Sequence, residues 1–266
     1  MRKLYLTNDS GISFELRNDV LISSIEGLGI LNENTYFKYG TKYEKFSTTM
    51  PQTQIVLGLV FIKGYSGFLD FVEFIKKSKK LRLFYSTVDE KYCNVEVNEL
   101  TKSQLEFGVL KSTLRLDRLS KWLKKVDMEI DVKESNDSKV YQHTYPFIYQ
   151  ASSNGRIRVI NNGHCEAEVI IKIIGNVKDP ELQVIQFGKV IQTLRLLISG
   201  HGIYEVSSIS SDSFIKKDGS NIYEHQDFTC TNFIRIPLGE VEMFFDSGVT
   251  NSAQCYISMF EEYEAN

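Results

Sequence analysis

Val126-Asp127-Met128-Glu129-Ile130-Asp131-Val132 alternates apolar and acidic residues without a break, and Lys133-Glu134-Ser135-Asn136-Asp137-Ser138-Lys139 follows with no apolar residue at all. Side chains of a strand point alternately to its two faces. The first stretch therefore reads as a half-buried strand, with Val126, Met128, Ile130 and Val132 on one face and three acids on the other. The second reads as a seam. Together they predict a mainly β protein of two domains, over 1–132 and 140–266, joined by a linker over 133–139.

Upstream of that strand, Lys3–Leu6 and Ile12–Leu16 flank Asn8-Asp9-Ser10-Gly11 and predict a hairpin. Asp19–Ile25, Thr35–Lys45 and Gln52–Ile62 are further strand candidates. The period then changes: Phe68, Phe71, Val72 and Ile75 fall on one face of a helix. Ser66 is placed to cap it, and Lys76, Lys77, Lys79 and Lys80 suit the negative end of its dipole. This single helix should lie across a sheet. Period two returns at Leu81–Tyr85 and Lys91–Val97.

Downstream of the seam almost only strands are expected. Arg156–Ile160 and Glu166–Ile174 are separated by Asn161-Asn162-Gly163, which reads as a hairpin turn. Other candidates are Glu181–Gln186, Ile203–Ile209, Asn232–Ile236, Val241–Phe245 and Cys255–Phe260, while Val190–Ile198 suits a strand or a short helix. Short strands punctuated by turns such as Asp218-Gly219 and Ser247-Gly248 point to a sandwich.

The whole-chain composition agrees. Of 266 residues, 42% are hydrophobic and 24% charged, which marks a globular chain, and 17 Phe and 14 Tyr against one Trp favour sheets. The net charge of −3 comes from 34 acids and 31 bases spread along the chain, which argues against nucleic-acid binding as a primary role. Four scattered cysteines without a C-x-x-C pair suit free thiols in a reducing compartment. The polar N-terminus does not read as a secretion signal. The longest apolar run, Ile55–Ile62, is far short of the roughly 20 residues of a membrane span.

No chemistry stands out. Asp127, Glu129 and Asp131 share one face as an acid–base pair or calcium site would require, but alternation alone explains them as a solvated face. His164 and Cys165 are neighbours, so on a strand they point to opposite faces and cannot grip one ion together. His143, His201 and His225 are isolated. Gly27-Leu28-Gly29 and Gly200-His201-Gly202 lack the spacing of a phosphate cradle and read as turns between strands. Tyr141, Tyr145, Phe147 and Tyr149 suit either sugar stacking or a core-facing strand. Trp122 suits either an interface anchor or a core. No catalytic residue, metal or cofactor is expected.

Three stretches resemble the distal tail protein family of long-tailed phages of Gram-positive bacteria. They are the opening hairpin Tyr5–Leu16, the run Leu116-Asp117-Arg118-Leu119-Ser120-Lys121-Trp122-Leu123 leading into the alternating strand, and a C-terminal pattern. That pattern is Asn162-Gly163, Ile170–Ile174, Gly175-Asn176-Val177-Lys178-Asp179-Pro180 and Glu181–Ile185, with the Gly-Asn pair read as a turn. Asp179 stands where Asn is expected before the proline.

The resemblance implies a structural, non-enzymatic virion protein at the distal end of the tail, made in the host cytoplasm. Both of its domains would be β-sandwich domains, the N-terminal one forming a homohexameric ring around a bore for DNA and the C-terminal one galectin-like. Its partners would be the tail tube protein, the tail-associated lysin or fibre hub, and receptor-binding or other baseplate proteins. It also implies that Val190–Ile198 is a strand. Cyclic assembly needs complementary flanks on each subunit. The polar-aromatic stretch Thr35–Thr49, with Tyr36, Phe37, Tyr39, Tyr43 and Phe46, is the candidate ring-interface arm. The competing function is a carbohydrate-binding module at the host surface. Only about 130 residues follow the seam, roughly one sandwich's worth, which leaves no room for an inserted sugar-binding domain.

Overall fold

The computed structural model describes residues 3–49, 51–130, 132, 153–250 and 253–265. The chain divides into two compact units, one of residues 1–124 with 263–266, the other of 125–262. Both are built from antiparallel sheets, as expected. The expected seam at 133–139 lies outside the described residues.

The first unit contains β1 (Lys3–Asn8), β2 (Ser13–Glu15), β3 (Val20–Glu26), β4 (Glu33–Tyr39), β5 (Lys42–Thr49), β6 (Gln54–Phe61), α1 (Tyr65–Lys77), β7 (Leu81–Ser86), β8 (Glu90–Leu100), β9 (Leu105–Glu106) and β10 (Val109–Arg118). It also contains the start of β11 (Trp122–Ile130). The long strand β8 serves two rows of strands. Its first half pairs with β7, which pairs with β1 and then β2, and its second half pairs with β10, then β6 and β3. Leu4, Leu6, Leu57, Leu59, Leu83, Val95, Leu114 and Leu116 from both rows meet in one core. The alternation of β6, with Ile55, Leu57, Leu59 and Phe61 all buried, is what drives its inner face there.

Helix α1 seals that core with Phe68 and Phe71, whose rings lie 5.5 and 5.7 Å from that of Phe61. Its cap differs from the expectation. Gly64, at φ +58, is the N-cap, and Ser66 already lies inside the helix, donating its hydroxyl to the Lys63 carbonyl at 3.1 Å. Lys76 and Lys77 occupy the last turn as expected, whereas Lys79 and Lys80 lie beyond it. Trp122 is fully buried in this core, 6.4 Å from Tyr85, which settles it as a core residue.

Strand β11 passes from one unit to the next. The division falls between Lys124 and Lys125 rather than at the seam, because Val126, Met128, Ile130 and Val132 pack on the second core. The alternation from Val126 holds over the described residues: Ile130 is buried, Asp127 and Glu129 exposed.

The second unit adds β12 (Asn154–Asn161), β13 (Glu168–Lys178), β14 (Glu181–Gln186), β15 (Lys189–Arg195), β16 (Ser199–Ser207), β17 (Phe214–Lys217), β18 (Ser220–Asn221), β19 (Gly239–Asp246) and β20 (Ala253–Tyr263). One sheet runs β18-β17-β16-β13-β20, the other β12-β19-β14-β15. Val169, Ile171 and Ile173 of the first meet Val184, Met243 and Phe245 of the second in a sandwich core.

Several turn assignments need correction here. Asn161-Asn162-Gly163 does not close a hairpin: β12 pairs with β19, and β13 with β16 and β20, so the chain switches sheets at this point. The Asn161 side chain holds that crossover, donating to the carbonyls of Cys165 and Ile236 at 2.9 Å and accepting from the Gly163 N–H. Gly175-Asn176 and Gly200–Gly202 are paired strand interior, not turns, with Gly175 opposite Gly202. The real turn is at Asp179, whose φ of +48 is a conformation Asp and Asn tolerate. Asn232–Ile236 forms only one bridge, from Ile236 to Ala167. Of Val190–Ile198, the part through Arg195 is strand, in β15, and Leu196 makes a single bridge to Gln226.

Burial also sorts the thiols. Desolvation pushes Cys93 up to about 12 and Cys255 still further, whereas Cys165 and Cys230 are only half-buried. A thiol reagent at neutral pH is expected to modify Cys165 and Cys230 well before Cys93 and Cys255. Peptide mass spectrometry checks this, and early labelling of Cys255 without denaturant would contradict the packing described.

Candidate assembly surface

The stretch Thr35–Lys45, expected as one strand, is instead the heart of a hairpin. β4 and β5 form a two-stranded sheet of their own, turning at Gly40-Thr41 with Gly40 at φ +58. Residues pair from Glu33 with Thr49 to Tyr39 with Lys42, with a bulge at Thr35/Tyr36 that shifts the register. Period two then places Phe37, Tyr39 and Phe46 on one face and Tyr36 and Tyr43 on the other. The Phe37 and Phe46 rings meet edge-on at 4.8 Å, Lys38 lies 6.0 Å from the Tyr43 ring, and Thr48 donates its hydroxyl to the Asn34 side chain at 2.8 Å.

What sets this hairpin apart is that neither face is covered. Its five anticipated aromatics, Tyr36, Phe37, Tyr39, Tyr43 and Phe46, are between 54% and 75% exposed, and every residue of β4 is exposed. A lone two-stranded ribbon is marginally stable in water at best, and one edge-on ring pair contributes only about 0.5–1.5 kcal/mol. An aromatic side chain buries about 150–250 Å² when covered. The exposed share of five such side chains is on the order of 600 Å², close to the ~800 Å² per partner of a stable interface.

The other candidates do not assemble into a reactive site. The Asp127 carboxylate is held below the usual range by Lys125 and by the Ser258 hydroxyl, so it acts as an ion-paired strand residue; Asp131 lies outside the described residues. The Cys165 thiol donates to Glu262 at 3.0 Å, while the His164 backbone N–H bonds the Glu262 carbonyl. Among the described residues no group of His, Cys, Asp and Glu is arranged to hold a metal ion. No helix among them is long and apolar enough to cross a membrane. Tyr141, His143, Tyr145, Phe147 and Tyr149 fall outside the described residues. Among the exposed aromatics that escaped the sequence reading, Phe107 and Phe187 each sit in a tight turn where no aromatic is expected.

Against known proteins, residues 3–119 match the family model "Distal tail protein, N-terminal domain". No curated protein sequence is significantly similar to this chain. Among solved structures, the chain resembles a component of the phage P2 baseplate in its activated conformation with calcium. The TM-score is 0.70 at 15% identity, with all of both chains covered. The same baseplate with strontium gives the same values. The distal tail protein of SPP1, described as a paradigm of the hub adsorption apparatus in phages infecting Gram-positive bacteria, matches with a TM-score of 0.63 and 10% identity. That match covers 96% of this chain and 98% of that one. These likenesses span both units and show a mainly β fold with one helix, while the match to the distal tail protein family model lies in the N-terminal part, over residues 3–119.

Proposed function

We propose that this chain is the structural hub of a phage tail tip, in a phage of a Gram-positive host. Six copies close a ring that joins the tail tube to the tail-associated lysin or fibre hub and carries receptor-binding proteins at its periphery. The observation that carries the proposal is the β4–β5 hairpin, an aromatic ribbon uncovered on both faces. In a head-to-tail ring each subunit presents one flank to the next, and an arm of this kind supplies the projecting half of that contact. The acidic balance of the chain, 34 acids to 31 bases, suits a bore that lets DNA pass without holding its phosphates.

Light scattering on the concentrated protein tests the stoichiometry. The expected mass is six times 30.6 kDa. A stable dimer, or a polymer that never closes, would contradict the ring.

A further inference from the structure

We infer that Phe187 is a docking anchor whose phenyl ring enters an apolar pocket on another tail protein. The inference rests on the hub reading, from which it takes the class of partner. Three hairpins of this chain turn through two residues that both have positive φ. They are Phe107-Gly108 between β9 and β10 (+49, +82), Phe187-Gly188 between β14 and β15 (+51, +72), and Asp218-Gly219 between β17 and β18 (+49, +82). Such turns favour Asn, Asp or Gly at the first position, and a bulky side chain there is strained.

The third turn obeys that preference, and its side chain is used within the fold: the Asp218 carboxylate accepts the Ile203 N–H at 2.9 Å. Phe187 does the reverse. It is 94% exposed and makes no ring stacking or cation–ring contact among the described residues. A strained residue that returns nothing to its own fold points to a use outside it. Phe107, fully exposed in the same geometry on the first unit, shows that the device is repeated.

The surroundings indicate what the ring meets. Val190, opposite Ile185, and Leu238 are exposed beside the tip, and the Gln186 side chain donates to the Leu238 carbonyl at 3.1 Å, which ties the turn to the segment before β19. The result is a rigid aromatic knob with an apolar rim, the form of a pre-organised interface anchor. A membrane anchor of an acidic protein would need a cluster of basic residues, and Lys189 is the only base between Glu181 and Gln192. A sugar site would need several polar groups around the ring, and the Gln186 amide next to it in sequence already donates to the Leu238 carbonyl.

The test is Phe187→Asn, because asparagine accepts the left-handed turn and removes only the ring. The purified variant is expected to melt at or above the wild-type temperature. Phage carrying it should build tails with the normal amount of this chain but at least tenfold less of one other tail protein by quantitative mass spectrometry, with infectivity falling in step. Wild-type composition and infectivity would overturn the anchor and leave the hub standing. A variant melting several degrees lower would assign Phe187 to the fold and overturn it too. Absence of this chain from wild-type tails would remove the hub reading and the inference with it. Flotation with phosphatidylcholine–phosphatidylglycerol vesicles, or binding to a cell-wall glycan array, lost only in the variant, would replace the protein partner and overturn the proposal as stated.

Discussion

Deleting Asn34–Thr48 is expected to leave a chain that folds and melts as before but no longer closes a ring. The hairpin contributes almost nothing to either core, since no residue of β4 is buried and Ser47 alone is half-buried in β5. Glu33 and Thr49 are paired across the ribbon, so joining them restores a short connection without strain. A finer variant, Phe37→Ser with Phe46→Ser, keeps the backbone and removes the apolar pair on one face. Two anchors at about 2 kcal/mol each amount to about 4 kcal/mol, or roughly a thousandfold in association constant. The mass by light scattering should fall toward 30.6 kDa. A ring that survives the deletion would remove the arm from the account.

The largest stability effect is expected from Trp122→Ala. The indole is fully buried among Tyr85 and the first unit's leucines, and it begins the strand that continues into the second unit. Removing a buried aromatic of this size costs about 3–5 kcal/mol, a large share of a domain's stability. Hydrogen exchange resolves where the loss falls. Peptides from β1, β6, β8 and β10 should lose protection, while peptides from β13, β16 and β19 keep it. Uniform loss along the chain would show that the two cores do not unfold as separate units.

How legible was this molecule in its sequence? Class and most strands were, because period two survives wherever one face is buried: Ile55, Leu57, Leu59 and Phe61, or Ala167, Val169, Ile171 and Ile173. The helix was readable from Phe68, Phe71 and Ile75, but not its cap, since a glycine at positive φ did what a serine was expected to do. Pairing was less legible. Asn161-Asn162-Gly163 carries the residues of a hairpin, yet the side chain of Asn161 is spent on bridging carbonyls at a crossover, a choice made by distant Ile236. Gly200 and Gly202 read as a turn because glycine usually breaks strands; here Gly202 lies opposite Gly175 inside a ladder, where a side chain would meet Lys217.

The exposed aromatic ribbon was half legible. Tyr36, Phe37, Tyr39, Tyr43 and Phe46 stood out as an aromatic run with too many polar neighbours for a core strand, and the structure leaves all five exposed. Their division between two faces depended on the bulge at Thr35/Tyr36, which no local residue announces. Phe107 and Phe187 were invisible for the opposite reason. A phenylalanine before a glycine reads as the end of a strand, and only the backbone shows it held in a left-handed turn.

Cryo-electron microscopy of purified tails decides whether this chain closes a ring at the tail tip. Six copies are expected in a closed ring at the distal end, with the Tyr36–Phe46 ribbon of each buried against its neighbour. A tail tip without this chain, or a ring whose ribbons project bare into solvent, would contradict that arrangement.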